Sequence, residues 1–243
     1  SCVRYLSAQD LCFAVNDSRI QPFAADYNEQ QFKKEYPNAR LHLGQWDSEV
    51  IASADVILIS PGIDSAIGDI AQHISVDCRV MGDVELFCLL NNERLNEPNI
   101  NPIQLLAVTG SNGKSTVVSL LAYLAESIGV NAQLGGNIGQ PVLDIFTQEI
   151  TGENTDIPTV LILELSSFQL ETLTSMKAIA TSVLNVSDDH LDRHQTMANY
   201  QRIKQSIYPQ GKLAVINRDD DATKSDNKSQ PVLSFGSDVP EQN

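Results

Sequence analysis

The chain has 243 residues, with 16 Lys and Arg against 31 Asp and Glu, a formal net charge of −15 and a pI near 4.5. So acidic a surface is repelled by phosphate backbones and anionic lipid, which argues against nucleic acid and membrane surfaces as partners. With 42% hydrophobic and 19% charged residues it can bury a core and is not a disordered chain, and at roughly 100–200 residues per domain it holds one large domain or two smaller ones.

No apolar run approaches the ~20 residues a membrane-spanning helix needs. The N-terminus has no basic segment followed by an apolar one, so no signal peptide is visible. Cys2, Cys12, Cys78 and Cys88 show no C-x-x-C spacing and read as small core hydrophobes of a reducing compartment. A soluble, cytoplasmic protein is expected.

In chain order, Leu11–Val15, Val56–Ser60 and Arg79–Met81 are the first expected strands. The polar stretch Asn91–Pro102, with two prolines and no periodicity, is the expected linker. Strand Ile103–Val108, helix Lys114–Ser127, strand Val160–Leu165, helix Ser166–Met176, strand Ala180–Asn185, helix Thr196–Tyr208 and strand Lys212–Asn217 follow. A polar loop, Arg218–Gln230, leads to the strand-like Pro231–Phe235, after which the chain trails off in polar residues. Most of the runs are rich in Val, Ile and Leu and apolar on both faces, as parallel strands covered by helices must be. Strand–helix–strand alternation predicts an α/β fold with a mostly parallel sheet and right-handed crossovers. The linker divides it into domains 1–95 and 103–243.

Leu105–Thr116 reads LLAVTGSNGKST, a hydrophobic strand, a turn with two glycines, and Lys-Ser-Thr opening a helix. Glycines let backbone N–H groups approach phosphate oxygens, and the helix N-terminus adds about half a positive charge. Gly110, Ser111, Asn112, Gly113, Lys114, Ser115 and Thr116 therefore form a candidate ATP loop. Lys114 would reach the β- and γ-phosphates and the Ser115 hydroxyl would ligate Mg²⁺. Val108 stands where the usual P-loop pattern has its first glycine, so the match is by context as much as by spacing.

Glu164 ends an apolar strand, where a carboxylate in an open α/β sheet faces the ligand site. It is either a Mg²⁺ ligand or an exposed strand-end charge, and the solvation cost of an unpaired carboxylate there favours the metal. The next strand empties into VSDDHLDRH, with His190 and His194 four apart. Without H-E-x-x-H or a nearby cysteine, zinc is disfavoured, and His190 is the active-site candidate while His194 stays unassigned. In the last helix Met197, Tyr200, Ile203 and Ile207 form an apolar stripe bordered by Lys204, which by spacing alone is a snorkelling surface lysine.

Taken together, TGSNGKST at 109–116, GGNIGQP at 135–141, LELSSFQLE at 163–171, LNVSDDHLDRH at 184–194, SPGI at 60–63 and GDVELF at 82–87 resemble the Mur ligases. The resemblance runs over essentially the whole chain, and LELSSFQLE points to the branch that joins D-glutamate to UDP-N-acetylmuramoyl-L-alanine. It implies a Rossmann-like UDP-binding domain before a P-loop-type ATP-binding central domain, both truncated. The first lacks its opening strand, the second its later half, and a C-terminal domain is absent, so the chain alone is expected to be inactive.

The resemblance also implies roles. Asp17, Ser18 and Arg19, with Ser60 and Gly62, match substrate-contacting positions of the UDP domain, and Asn137 falls near the diphosphate and muramoyl group. Ser115 and Glu164 match ligands of one Mg²⁺, His190 a ligand of a second, and Lys204 the carbamylated lysine of the family, which would help hold that second ion. Lys114, His190 and Lys204 are thus the implied catalytic groups. The implied reaction is an ATP-driven amide synthesis through an acyl phosphate, by a monomer whose partners are ATP, D-glutamate and UDP-N-acetylmuramoyl-L-alanine. A folate polyglutamate ligase shares the loop, but SPGI and GDVELF favour the former.

Overall fold

A computed structural model of the chain describes residues 1–64, 68–98, 100–154 and 156–238; the end of the expected polar tail lies outside them. It opens with helix α1 (Cys2–Ala8), strand β1 (Phe13–Asp17), helix α2 (Glu29–Glu35), strand β2 (Ala39–Leu43) and helix α3 (Ser48–Ala52). Strand β3 (Val56–Leu58), helix α4 (Gly68–Ala71), strand β4 (Arg79–Met81) and helix α5 (Asp83–Glu93) follow. Then come β5 (Gln104–Thr109), α6 (Lys114–Ser127), β6 (Ala132–Gly136), α7 (Val142–Thr151), β7 (Val160–Glu164) and α8 (Ser167–Leu170). The chain closes with β8 (Ala178–Val183), α9 (Leu191–His194), α10 (Met197–Gln205), β9 (Gly211–Asn217) and β10 (Val232–Phe235).

Two compact units result: Ser1–Asp83 with Val142–Thr155, and Val84–Pro141 with Asp156–Asn243. In the first, β1 pairs in parallel with β2 and β3 with β4. Its α7 packs against α1, where the Arg4 guanidinium holds Asp144 at 2.5 Å. The second unit carries a six-stranded sheet in the order β10-β9-β8-β5-β7-β6, every neighbouring pair parallel. The expected α/β architecture with a parallel sheet is what forms.

Burial explains the strand pattern. Leu161, Ile162 and Leu163 of β7 are fully buried, so both faces of that strand are covered. On one face Val108, Ile162 and Leu184 meet Val118 of α6, with Leu121, Leu134 and Ile138 packed around them. Helix α6 spans Lys114–Ser127 as expected, running from Gly113 to a stop at Ile128-Gly129, where Gly129 takes φ +77°. Left-handed backbone costs glycine little, and this ends the helix.

Several expectations are corrected. The helix foreseen over Ser166–Met176 is one turn, Ser167–Leu170. The Thr174 and Ser175 backbone N–H groups donate to the Glu85 carboxylate at 2.8 and 2.9 Å, and their hydroxyls do so at 2.9 and 2.7 Å. A helix cannot use those donors as well. Of the four cysteines, only Cys88 is buried in the core; Cys12 is exposed and Cys2 and Cys78 are half-buried, all as free thiols. The polar stretch from Asn91 holds the end of α5 and a single 3-10 turn, and the Asn91 side chain is buried, exchanging hydrogen bonds of 2.9 and 2.8 Å with the Ile103 backbone. Strand β8 stops at Val183 rather than Asn185, because Asn185 turns its amide to the loop after β5.

Candidate functional site

Parallel strands aim their carboxyl ends one way, and the ends of β5, β6, β7 and β8 carry the chemistry-bearing residues of the second unit. The loop after β5, residues 110–113, is fastened to the segment that follows β8. Ser111 N–H donates to Asn185 O at 3.0 Å, Asn112 N–H to Asn185 Oδ1 at 2.8 Å, and Asn185 Nδ2 back to Asn112 O at 3.0 Å. The Ser111 hydroxyl is buried, accepts the Ser187 N–H at 3.0 Å and shares a 3.2 Å hydrogen bond with Tyr200 OH. Gly113 caps α6 at φ +80°, a left-handed turn that lets the helix begin at Lys114.

Two lysines converge on the same loop. Lys114 Nζ donates to Gly110 O at 2.8 Å and Ser111 O at 3.2 Å, and Lys204 Nζ donates to Gly110 O at 3.0 Å. Lys204 is 1% exposed, with its ammonium 4.5 Å from the Tyr200 ring centroid. The surface reading of Lys204 is therefore wrong, although its spacing four after Tyr200 and three before Ile207 puts it on the buried stripe. Burial, then the neighbouring Lys114 charge, brings its pKa down to about 7, with Asp189 partly opposing the shift.

Glu164 is also buried, and both its oxygens are engaged. Ser115 Oγ donates to Oε2 at 2.7 Å and Asn137 Nδ2 to Oε1 at 2.8 Å. The exposed strand-end alternative is thus excluded. Asn137 is brought there by Gly136, whose φ of +95° lets the Asn137 N–H reach Glu164 O at 2.8 Å; a Cβ on Gly136 would stand 2.2 Å from that oxygen. A hydroxyl and a carboxylate at the head of a helix are the hard oxygen donors that Mg²⁺ takes beside water and phosphate. Among the described residues no three His, Cys, Asp or Glu side chains gather as a ready-made metal cluster.

His190 sits at the start of α9 with left-handed backbone, φ +51°, half-exposed, its Nε2 3.5 Å from Asp189 Oδ2. Its ring lies 4.9 Å from that of Phe168. His194, unassigned from sequence, is 1% exposed: its Nε2 is 2.9 Å from Ser167 Oγ and its Nδ1 3.4 Å from Glu171 Oε1. Burial drives its pKa below the usual histidine value, with the nearby Glu171 carboxylate partly opposing. Sequence reasoning named Ser111 as a loop residue, left His194 unassigned and read Tyr200 as part of an apolar stripe. It missed their polar contacts, because nothing local marks a hydrogen bond made between distant segments.

In the first unit, Asp17 ends β1 and accepts Arg19 three times, from N–H at 2.9 Å, Nε at 3.0 Å and Nη2 at 2.7 Å. That pairing, with burial opposing it, holds the Asp17 carboxyl below its usual range. Ser18 beside it is exposed. Ser60 and Gly62, also exposed, lie in the turn after β3, closed by Ile63 N–H to Ser60 O at 2.9 Å.

Comparison with known proteins bears on the family and the fold. Residues 108–242 match the Mur ligase middle domain and residues 1–82 the Mur ligase MurD-like N-terminal domain. A UDP-N-acetylmuramoylalanine–D-glutamate ligase of Colwellia psychrerythraea is 57% identical, aligned over 100% of this chain and 51% of its own length. That of Pseudoalteromonas translucida is 44% identical over 96% of this chain and 48% of its own. The chain spans about half the length of the curated relatives it matches. Among solved structures, a UDP-N-acetylmuramate:L-alanyl-gamma-D-glutamyl-meso-diaminopimelate ligase from Neisseria meningitides superposes with a TM-score of 0.55 at 16% identity, over 95% of this chain and 72% of that one. A UDP-N-acetylmuramoyl-L-alanyl-D-glutamate–2,6-diaminopimelate ligase gives 0.52 at 21%, over 89% and 51%. These two bear on the fold alone. With one family domain matched over most of each unit, the chain belongs to the Mur ligase family.

Proposed function

We propose that this chain supplies the ATP-binding and nucleotide-sugar-binding parts of a UDP-N-acetylmuramoyl-L-alanine:D-glutamate ligase, an ADP-forming enzyme of peptidoglycan precursor synthesis. The observation that carries the reading is the buried Glu164 carboxylate fixed between Ser115 and Asn137 at the head of α6, beside Lys114.

Lys114 exchanges its two carbonyl partners for the β- and γ-phosphates of ATP, and the loop N–H groups at the start of α6 cradle them. The L-alanyl carboxylate attacks the γ-phosphorus and ADP leaves, giving an acyl phosphate. The D-glutamate amine then adds to the acyl carbon, and inorganic phosphate departs from the tetrahedral adduct as the amine loses its proton. Ser115 and Glu164 would hold one Mg²⁺, and His190 and Lys204 a second. Mg²⁺ supplies neutralisation of the phosphate charge that otherwise repels the carboxylate.

An ammonium is no metal ligand, so the second role requires Lys204 as a carbamate. With a pKa near 7 a large share of the amine is neutral. The neutral amine nitrogen bonds to the carbon of CO₂ and releases one proton, giving a carbamate anion; starting from the ammonium, two protons leave in all. A ¹³C-bicarbonate carbamate resonance, absent in Lys204→Met, tests this.

Asp17, Ser18, Arg19, Ser60 and Gly62, with Asn137, are assigned to the UDP-sugar, residues 1–95 to its binding domain and 103–243 to the ATP domain. The enzyme is read as a cytoplasmic monomer; among the described residues no helix is long and apolar enough to cross a membrane. The test is phosphate release by the full-length protein. It should require ATP, D-glutamate and UDP-N-acetylmuramoyl-L-alanine together and vanish in Lys114→Ala. Turnover retained by that variant overturns the mechanism.

A further inference from the structure

The reaction proposed above gives no work to His194, yet it is among the most thoroughly buried polar side chains described, at 1% exposure. Ser167, His194 and Glu171 have the residue types of a nucleophile, a base and its orienting acid. Ser167, however, is 2% exposed, so no substrate carbonyl can reach its hydroxyl, and a hydrolytic role is excluded.

What the residue does make is a stack. The His190 ring lies 4.9 Å from Phe168, Phe168 lies 5.5 Å from His194 at 28°, and His194 lies 5.2 Å from Tyr200 at 29°. The Lys204 ammonium closes the far end, 4.5 Å from the Tyr200 ring. The members come from three pieces of chain, Phe168 from α8, His190 and His194 from the α9 turn, and Tyr200 and Lys204 from α10, and the His194 ring is the link between Phe168 and Tyr200. Its Nε2 reaches Ser167 in the turn after β7, while Tyr200 beyond it is joined to Ser111 of the phosphate loop. Glu171, close to Nδ1, is itself gripped by Arg193 at 2.6 Å, so the stack is braced from the side as well.

We propose that His194 is a positioning residue: through this stack it holds the His190 imidazole at one end and the Lys204 amine at the other in a fixed relation. The assignment of those two groups to the reaction rests on the proposed ligase function; the positioning itself does not. A ring in the middle of the stack is required, and its nitrogens secure the tilt.

The test compares His194→Ala and His194→Gln, which remove the ring, with His194→Phe, which keeps it, all in the full-length protein. The first readout is NMR of ¹⁵N-histidine-labelled protein, in which the Phe168 ring current marks the His190 carbon-bound protons. Those signals should move toward the free-imidazole position in the alanine and glutamine variants and stay within a small shift in the phenylalanine variant. The second readout is kinetic. Loss of the ring should lower kcat about tenfold or more, the scale seen when outer-shell partners are removed, with the KM for ATP nearly unchanged. The phenylalanine variant should keep most of kcat while its Tm falls, since Ser167 loses a partner.

Unmoved His190 signals in both ringless variants overturn the proposal. So does a kcat that tracks Tm across all three variants. If the parent protein shows no turnover but the His190 signals move only without the ring, the ligase reading falls and the positioning role stands.

Discussion

The strand ends of the two units are built differently. After β5, β6, β7 and β8 most candidate groups are held by their surroundings, Glu164 by two side chains, Lys204 by burial and Gly110 O, Ser111 by Ser187 and Tyr200, with the half-exposed His190 the exception. After β1 and β3 the candidates other than the half-buried Asp17 are exposed, and Asp17 and Arg19 are held chiefly by one another. The first arrangement gives its side chains several partners each, as a preorganised site requires. The second can be remade on binding, at the cost of ordering it then.

The sharpest way to break the first arrangement is at Gly136. A methyl group there would stand 2.2 Å from the Glu164 carbonyl oxygen, on a backbone at φ +95°. Gly136→Ala should cost about 3 kcal/mol or more in urea unfolding and displace Asn137 from Glu164. A loss under about 1 kcal/mol would mean that the turn accommodates a side chain freely.

Lys204 gives the next effect, and it has a sign in pH. Its folded pKa is lowered from 10.5 to about 7, so between those values the unfolded chain binds more protons than the folded one. Stability therefore rises with pH through that window, and the penalty is fully present below pH 7. Lys204→Met removes the penalty. In CO₂-free buffer the variant should exceed the parent by an amount that is larger at pH 6 than at pH 10 by a few kcal/mol, about 1.4 for each pH unit of the window at most. Parallel stability curves for the two proteins would refute this.

Glu85 marks the same style of construction away from the ligand. Burial pushes its carboxyl up, but the hydrogen bonds from Ser175 and Thr174 together bring it below the ordinary value. Its stabilising contribution is present above about pH 4.5 and is lost as pH falls through the lowered folded value. Glu85→Ala leaves those donors without their acceptor and should cost about 2–3 kcal/mol at pH 7, shrinking on acidification. Chemical denaturation at two pH values checks both.

How much of this was legible depended on whether the cause was local. Helix α6 and its loop could be read to the residue, because glycines, a lysine and a following apolar stripe are neighbours in sequence. Strand β2, with Arg40 and His42, and β6, ending in Gly135 and Gly136, carry no apolar run and went unseen. Helix α8 was read too long because the group that stops it, Glu85, lies 89 residues from Thr174. The same holds for the site. Glu164 was found by its place at the end of an apolar strand, whereas its pairing with Asn137 and the stack through His194 arise between segments that only the fold joins. Lys204 shows the two kinds of reasoning in conflict: residue type said surface, helical spacing allowed the core, and the tertiary structure chose the core.

Arg19 should give the smallest structural effect and so separates the two styles of site most cleanly. Its guanidinium is largely exposed, and exposed ion pairs add little to stability because water competes with them and salt screens them. Arg19→Ala should leave Tm and urea midpoint unchanged. Its consequence should fall on recognition instead: an exposed guanidinium released from Asp17 is free to meet an anionic or carbonyl-bearing nucleotide, so the KM for the UDP-sugar should rise several-fold while kcat and the KM for ATP hold. Added salt should shrink the difference between variant and parent, since the lost interaction is a solvent-exposed charge. If Arg19→Ala instead lowers Tm as Glu85→Ala does, the first unit's strand ends are braced like those of the second. The contrast between a site fixed in advance and one remade on binding would then be wrong.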